Sequence, residues 1–204
     1  MNDSGKYSSH DDSRVNLIQF FRKTNLVSTA RAEEFAGKFL PTHFIKNDFV
    51  LREGRICNDY LFLDNGFMRS FAHDTEGNEV TTDFHHSSQV VFEVSSFFNR
   101  TSSKENIQAL TDCSGWYITY QELNRLFHEA QEFREFGRHI LVRGVSALKN
   151  RMLSMITETA EERYSNLLRS NPEIFIYAPL KNIATYLGIT DTSLSRIRKN
   201  FSGR

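Results

Sequence analysis

The chain has 204 residues, 39% hydrophobic and 25% charged, with as many basic as acidic side chains. That is enough to bury one large core or two small ones, and no stretch reaches the ~20 consecutive apolar residues of a membrane span. The two cysteines, Cys57 and Cys113, stand far apart and outside any CxxC pattern, which argues against a disulfide framework or a tetrahedral zinc site and for free thiols in a reducing cytoplasm.

Residues 1–13 are polar and lack the apolar core of a secretory signal, so they read as a flexible tail on a cytoplasmic protein. The neutral total hides an asymmetry. Residues 1–136 hold 14 Lys and Arg against 20 Asp and Glu, and residues 137–204 hold 11 against 5. A basic last third suits contact with a polyanion.

In chain order, residues 14–38 read as helical. Leu17, Ile18, Phe20, Phe21, Phe35 and Phe39 form a stripe broken near Thr24 to Ser28, and Pro41 ends the segment. Short runs rich in aromatic and β-branched residues follow around Phe49, Leu61, Met68 and Val80. They are separated by Glu53-Gly54, Asn65-Gly66 and Glu76-Gly77-Asn78. Asn-Gly between apolar runs predicts a hairpin, and strands at this spacing predict a small antiparallel barrel or roll. Residues 89–98 lead into a helical turn, with strands expected again at Ile107 to Leu110 and at Trp116 to Ile118.

Thr119 and Glu122 have capping-box spacing and open a helix. From Glu132 to Thr157 there is no proline, and Phe133, Phe136, Ile140, Ala147, Leu148, Met152, Met155 and Ile156 make a long apolar seam. Such a seam fits a second copy of itself in a homodimer. Thr159 and Glu162 form a second capping box, so residues 14–130 read as a roll domain, 131–158 as a dimerisation helix and 159–204 as a C-terminal helical domain.

The last segment carries the function. Pro179 can open a helix over residues 180–187, Gly188 supplies a left-handed turn, and Thr190 can cap a second helix from Asp191 to about Phe201. Ile183, Leu187, Ile189, Leu194 and Ile197 can share one small core, with Ala184 at the close crossing, as in a helix-turn-helix. The second helix then presents Thr190, Asp191, Thr192, Ser193, Ser195, Arg196 and Lys199. Arg suits a bidentate contact with guanine, and Ser, Thr and Lys suit phosphates. These residues are therefore the expected contacts to double-stranded DNA.

Leu180-Lys-Asn-Ile-Ala-Thr-Tyr-Leu-Gly-Ile-Thr, Ser193-Leu-Ser-Arg-Ile-Arg-Lys and Ala160-Glu-Glu-Arg-Tyr-Ser-Asn-Leu-Leu resemble the Crp/Fnr regulator family, and the resemblance runs from Leu40 onward. It implies an α+β chain: a cyclic-nucleotide-binding-type antiparallel β-roll with flanking helices, a long dimerisation helix and an all-α helix-turn-helix domain. The family's base-reading positions fall on Asp191, Thr192 and Arg196, and only Arg196 keeps the usual residue. RNA polymerase stands as an open partner. The effector site departs from the pattern. Glu93 stands at the ribose-binding Glu, Phe92 replaces Gly, and the phosphate-binding Arg-Ser pair falls on Ser103 and Lys104. Without Arg the bidentate grip on a cyclic phosphate is lost, and Lys is no equivalent. Glu93, Ser103 and Lys104 thus mark an effector site that has lost cyclic AMP, with any small-molecule effector unidentified. Only three residues follow Phe201, so no C-terminal wing is expected.

Two rivals stay open. A cupin-like enzyme would need converging metal ligands, but His85 and His86 are adjacent on a strand and should face opposite ways. No catalytic residue, cofactor or metal is expected. The other rival is a sensing module that acts only through protein contacts, which Asp191, a carboxylate where phosphate would come, favours.

Overall fold

A computed structural model describes residues 14–202, which form nine helices and eight strands. The first helices are α1 (Val15–Arg22) and α2 (Thr29–Ala36). Ser28 starts α2 by accepting the Arg31 N–H at 3.4 Å. Leu17, Phe20 and Phe21 of α1 turn inward, and Phe21 meets Phe39 at 5.8 Å and Phe136 at 5.0 Å between ring centroids. Tilted aromatic pairs of this kind add about 0.5–1.5 kcal/mol each beyond their burial. The tail expected over residues 1–13 lies outside the described residues.

The roll is two four-stranded sheets. One has the order β1-β8-β3-β6, from β1 (Leu40–Phe44), β8 (Cys113–Thr119), β3 (Asp59–Asn65) and β6 (Gln89–Val91). The other has the order β2-β7-β4-β5, from β2 (Phe49–Leu51), β7 (Asn106–Ala109), β4 (Phe67–His73) and β5 (Glu79–His86). All the pairings are antiparallel. Pro41 lies inside β1 rather than merely ending a helix, and β1 is an edge strand, where a residue without an N–H does least harm.

The hairpin expected at Asn65-Gly66 is not one. β3 and β4 lie in different sheets, so the chain turns a corner there instead of doubling back. Gly66 has φ +108°, and a Cβ on it would sit 2.5 Å from Cys113 Sγ and 2.8 Å from the Asp112 carbonyl oxygen. Glycine is therefore required by a close crossing, a signal that a dipeptide shares with a tight turn. The true hairpin joins β4 to β5. Asp74 Oδ1 accepts the N–H groups of Glu76 and Asn78, both at 2.9 Å, and Gly77 sits at φ +83°.

Short α3 (Val94–Asn99) bridges β6 and β7. α4 (Tyr120–Glu129) begins with Thr119 accepting the Glu122 N–H, so only half of the expected capping box forms; Glu122 turns to Arg125 at 3.3 Å. The box at Thr159 is complete and opens α6 (Ala160–Ser170).

Between them runs α5 (Gln131–Thr157), 27 residues long. The seam read as continuous divides in two. Phe133 and Phe136 are buried in the roll core, whereas Leu141, Val145, Leu148, Met152 and Met155 are exposed, Val145 and Leu148 each at 67%. Their alternating spacing of four and three is that of a coiled-coil stripe.

The chain closes with α7 (Ile174–Tyr177), which the sequence reading does not anticipate, then α8 (Leu180–Tyr186) and α9 (Asp191–Ser202). The helices from α6 on share a second core with the roll: Phe67, Phe84 and Leu110 pack with Tyr164, Leu167, Ile174, Ile183, Leu187, Leu194 and Ile197.

Candidate nucleic-acid interface

The α8–α9 unit is built by its turn. Gly188, at φ +67°, donates to Thr185 O, and Ile189 donates to Ala184 O, both at 3.0 Å. These two bonds complete a Schellman cap, close α8 and redirect the chain at once. Thr190 Oγ1 then accepts the Ser193 N–H at 3.2 Å and starts α9. Ile183, Ala184, Leu187, Leu194 and Ile197 are buried between the helices, and Ile189 is half-buried. Phe201 adds an edge contact to Tyr164 at 5.1 Å.

Inward burial of Leu194 and Ile197 fixes which way the rest of α9 points. Asp191, Thr192, Ser195, Arg196 and Lys199 are all exposed, and Thr190 is exposed at the helix entrance. Thr192, Ser195, Arg196 and Lys199 recur at helical spacing and share one outward face. Ser193 stands apart, half-buried with its hydroxyl 3.0 Å from Thr190 Oγ1, so its polar group serves the cap. Asp191 occupies the first turn, where a carboxylate complements the helix dipole. That stabilises the helix and leaves the positive charge of the face to Arg196 and Lys199. Of the seven residues expected to meet DNA, six are exposed and Ser193 is half-buried; the hydroxyls of Thr190 and Ser193 both serve the cap.

The cassette expected to hold an effector is occupied by its own backbone. Each carboxylate oxygen of Glu93 accepts one N–H at the start of α3, from Ser95 at 2.9 Å and from Ser96 at 2.6 Å. Ser103 is buried, its hydroxyl donating to Glu105 O at 2.8 Å while accepting the Glu105 N–H at 3.0 Å. Lys104 is exposed. The sequence reading passes over Glu105, whose carboxyl is pushed above its ordinary range by burial. Phe92 packs against the core beside them, 4.7 Å from Tyr60 and 5.5 Å from Phe97 between centroids. The cavity beside it, lined by Cys57, Asn58, Asp59, Val91, Phe92 and Ile107, has a volume of about 20 Å³. That is room for about one water molecule.

The histidines weighed for a metal site go separate ways. His85 is buried on Ser70 Oγ at 2.8 Å, and burial holds its pKa below 6.5. His86 meets Gln89 at 2.9 Å, and His73 meets Glu53 at 3.0 Å. Among the described residues no group of three or more His, Cys, Asp or Glu is placed to hold a metal ion, and no helix is long and apolar enough to cross a membrane.

Residues 41–130 match the family model of the cyclic nucleotide-binding domain. A search of curated proteins finds no match. Among solved structures, FixK2 from Bradyrhizobium japonicum is similar at TM-score 0.69 and 18% identity, over 81% of this chain and 85% of that one. CLP from Xanthomonas campestris, described as a global regulator responsive to c-di-GMP, is similar at TM-score 0.64 and 16% identity, over 86% and 92%. A chain from Eubacterium rectale assigned to the crp/fnr family of transcriptional regulators is similar at TM-score 0.68 and 17% identity, over 90% and 88%. At these identities the likeness is one of fold.

Proposed function

From a chain that carries a cyclic nucleotide-binding domain in the fold of the Crp/Fnr regulators, we propose a sequence-specific DNA-binding transcription regulator that acts as a homodimer and takes no cyclic AMP. The observation that carries the reading is the outward face of α9, with Thr192, Ser195, Arg196 and Lys199 exposed above a buried Leu194–Ile197 underside. In this motif the second helix enters the major groove and its first residues meet base edges; the docking geometry is that of the handful of well-known regulators built this way. Arg196 would read a guanine edge, and Ser195 and Lys199 would hold phosphates.

The exposed stripe on α5 supports a dimer. Leu141, Val145, Leu148 and Met152 would meet their own copies across a two-fold axis, and the two recognition helices must then lie about 34 Å apart to meet successive major grooves. Three features support the loss of cyclic AMP: Phe92 in the pocket, the inward bonding of Ser103, and a half-buried Glu105 where an anionic phosphate would need a cation. The domain boundaries proposed are 14–130, 131–158 and 159–204.

Selection of bound DNA from a random pool tests the whole reading. The expected result is a two-fold symmetric consensus with half-sites one helical turn apart. Failure to enrich any sequence would leave the rival, a module acting through protein contacts alone.

A further inference from the structure

The side of the helix pair away from its DNA-facing edge is held by contacts that base reading does not use. β5 ends its sheet, so its outer backbone groups have no strand partner. Two of them are met by side chains from elsewhere. The Thr81 N–H donates to Thr185 Oγ1 of α8 at 3.1 Å, and the Thr82 carbonyl accepts from Arg151 of α5. The same guanidinium donates to Tyr186 O at 3.3 Å and lies 4.2 Å from the centroid of the Tyr186 ring. That ring in turn meets Phe84 of β5 at 5.1 Å. One helical turn on, Met155 rests on Gly188, where a Cβ would come within 2.4 Å of its Cε.

We propose that Arg151 and Thr185 form a latch that sets the angle of the helix-turn-helix unit against the roll and the long helix. The apolar contacts at this joint hold the parts together without direction, because burial is proportional to area and not to angle. The hydrogen bonds supply the direction. Arg suits the task because one planar fork spans two carbonyls on different elements and stacks on the ring as well, which a Lys ammonium cannot match. The joint between α5 and α6 is the extended pair Glu158 and Thr159, held by Ser154, Arg163 and Asn166 bonding to Glu158, and these bonds do not reach the roll. The outer face of α9 is open in the latched arrangement, so the latch orients the reading edge rather than masking it. The functional half of this proposal rests on DNA reading; the mechanical half does not.

The test compares the full chain with Arg151→Met and, separately, Thr185→Val. Cysteines placed at the exposed Lys104 and Asn200 carry spin labels, the native thiols being buried, and labelled chain is diluted with unlabelled chain. A narrow distance distribution is expected without either substitution and one at least twice as wide with each; an unchanged width in both variants overturns the latch. On the selected DNA site, affinity is expected to fall about fivefold while affinity for random DNA holds. Equal affinity for the selected site overturns the role of the angle. A parent chain without any sequence preference counts against DNA reading alone, since the distances need no DNA.

Discussion

The roll cassette and the exposed face of α9 use much the same residue types and treat them in opposite ways. In the cassette, Glu93 and Ser103 bond to backbone groups within three residues of themselves, and Phe92 packs against the core beside them. At α9, Thr190 and Ser193 are engaged by the helix cap, and Thr192, Ser195, Arg196 and Lys199 stay exposed. A polar side chain offers a binding site only where the fold has not already satisfied it, since each hydrogen or lone pair can be used once. The composition of a segment does not reveal which of the two has happened; the position of the nearest free backbone N–H does.

The sharpest way to break the contrast is to reopen the cassette. Phe92→Ala removes a ring packed on Tyr60 and Phe97 and is expected to cost about 2–4 kcal/mol, read from urea unfolding, as for other truncations of packed aromatics. A cost under about 1 kcal/mol would mean that the ring is not what fills the site. Next, Arg196→Ala should weaken binding to the selected DNA by about 1–3 kcal/mol and relax the preference at one base pair, whereas Lys199→Gln should lower the slope of affinity against salt by about one phosphate contact. Titrations at several salt concentrations separate the two. Thr190→Ala removes the cap and is expected to cost about 1 kcal/mol of stability, read as a lower midpoint of thermal unfolding.

The smallest effect is on pH. The unfolded chain protonates His85 near 6.5, and the folded chain does so only at lower pH because the ring is buried. The folded state therefore holds fewer protons in between. Its stability is intact above pH 6.5 and declines as pH falls below that value toward the folded pKa, by no more than about 1.4 kcal/mol per unit. Unfolding of the parent and of His85→Gln at pH 7.5 and 5.5 checks this: the difference between them should shrink at the lower pH.

How much was legible in the sequence follows the same divide. The turn between α8 and α9 could be read nearly residue by residue, because its Gly188 turn, Thr190 cap and apolar offsets are local and each answers to one physical need. The strands were legible from aromatic and β-branched runs between turn residues, and the α+β class from the family resemblance. The corner at Gly66 was not, because a glycine needed for a close crossing looks in one dimension like a glycine needed for a hairpin. The division of α5 was also hidden. Phe136 and Val145 are equally apolar, and only the position of the roll decides that one is covered and the other bare. Arg151 and Thr185 could not have been singled out, since their partners lie 69 and 104 residues away on a strand edge.

If the bare stripe around Val145 and Leu148 is the dimer seam proposed above, it has a consequence for dosage. Where two chains must meet before either can straddle a palindrome, occupancy of that palindrome at low abundance climbs as the square of the number of copies in the cell. Halving expression would then cut promoter occupancy to about a quarter, and the midpoint of heat denaturation would drift upward as the sample is concentrated.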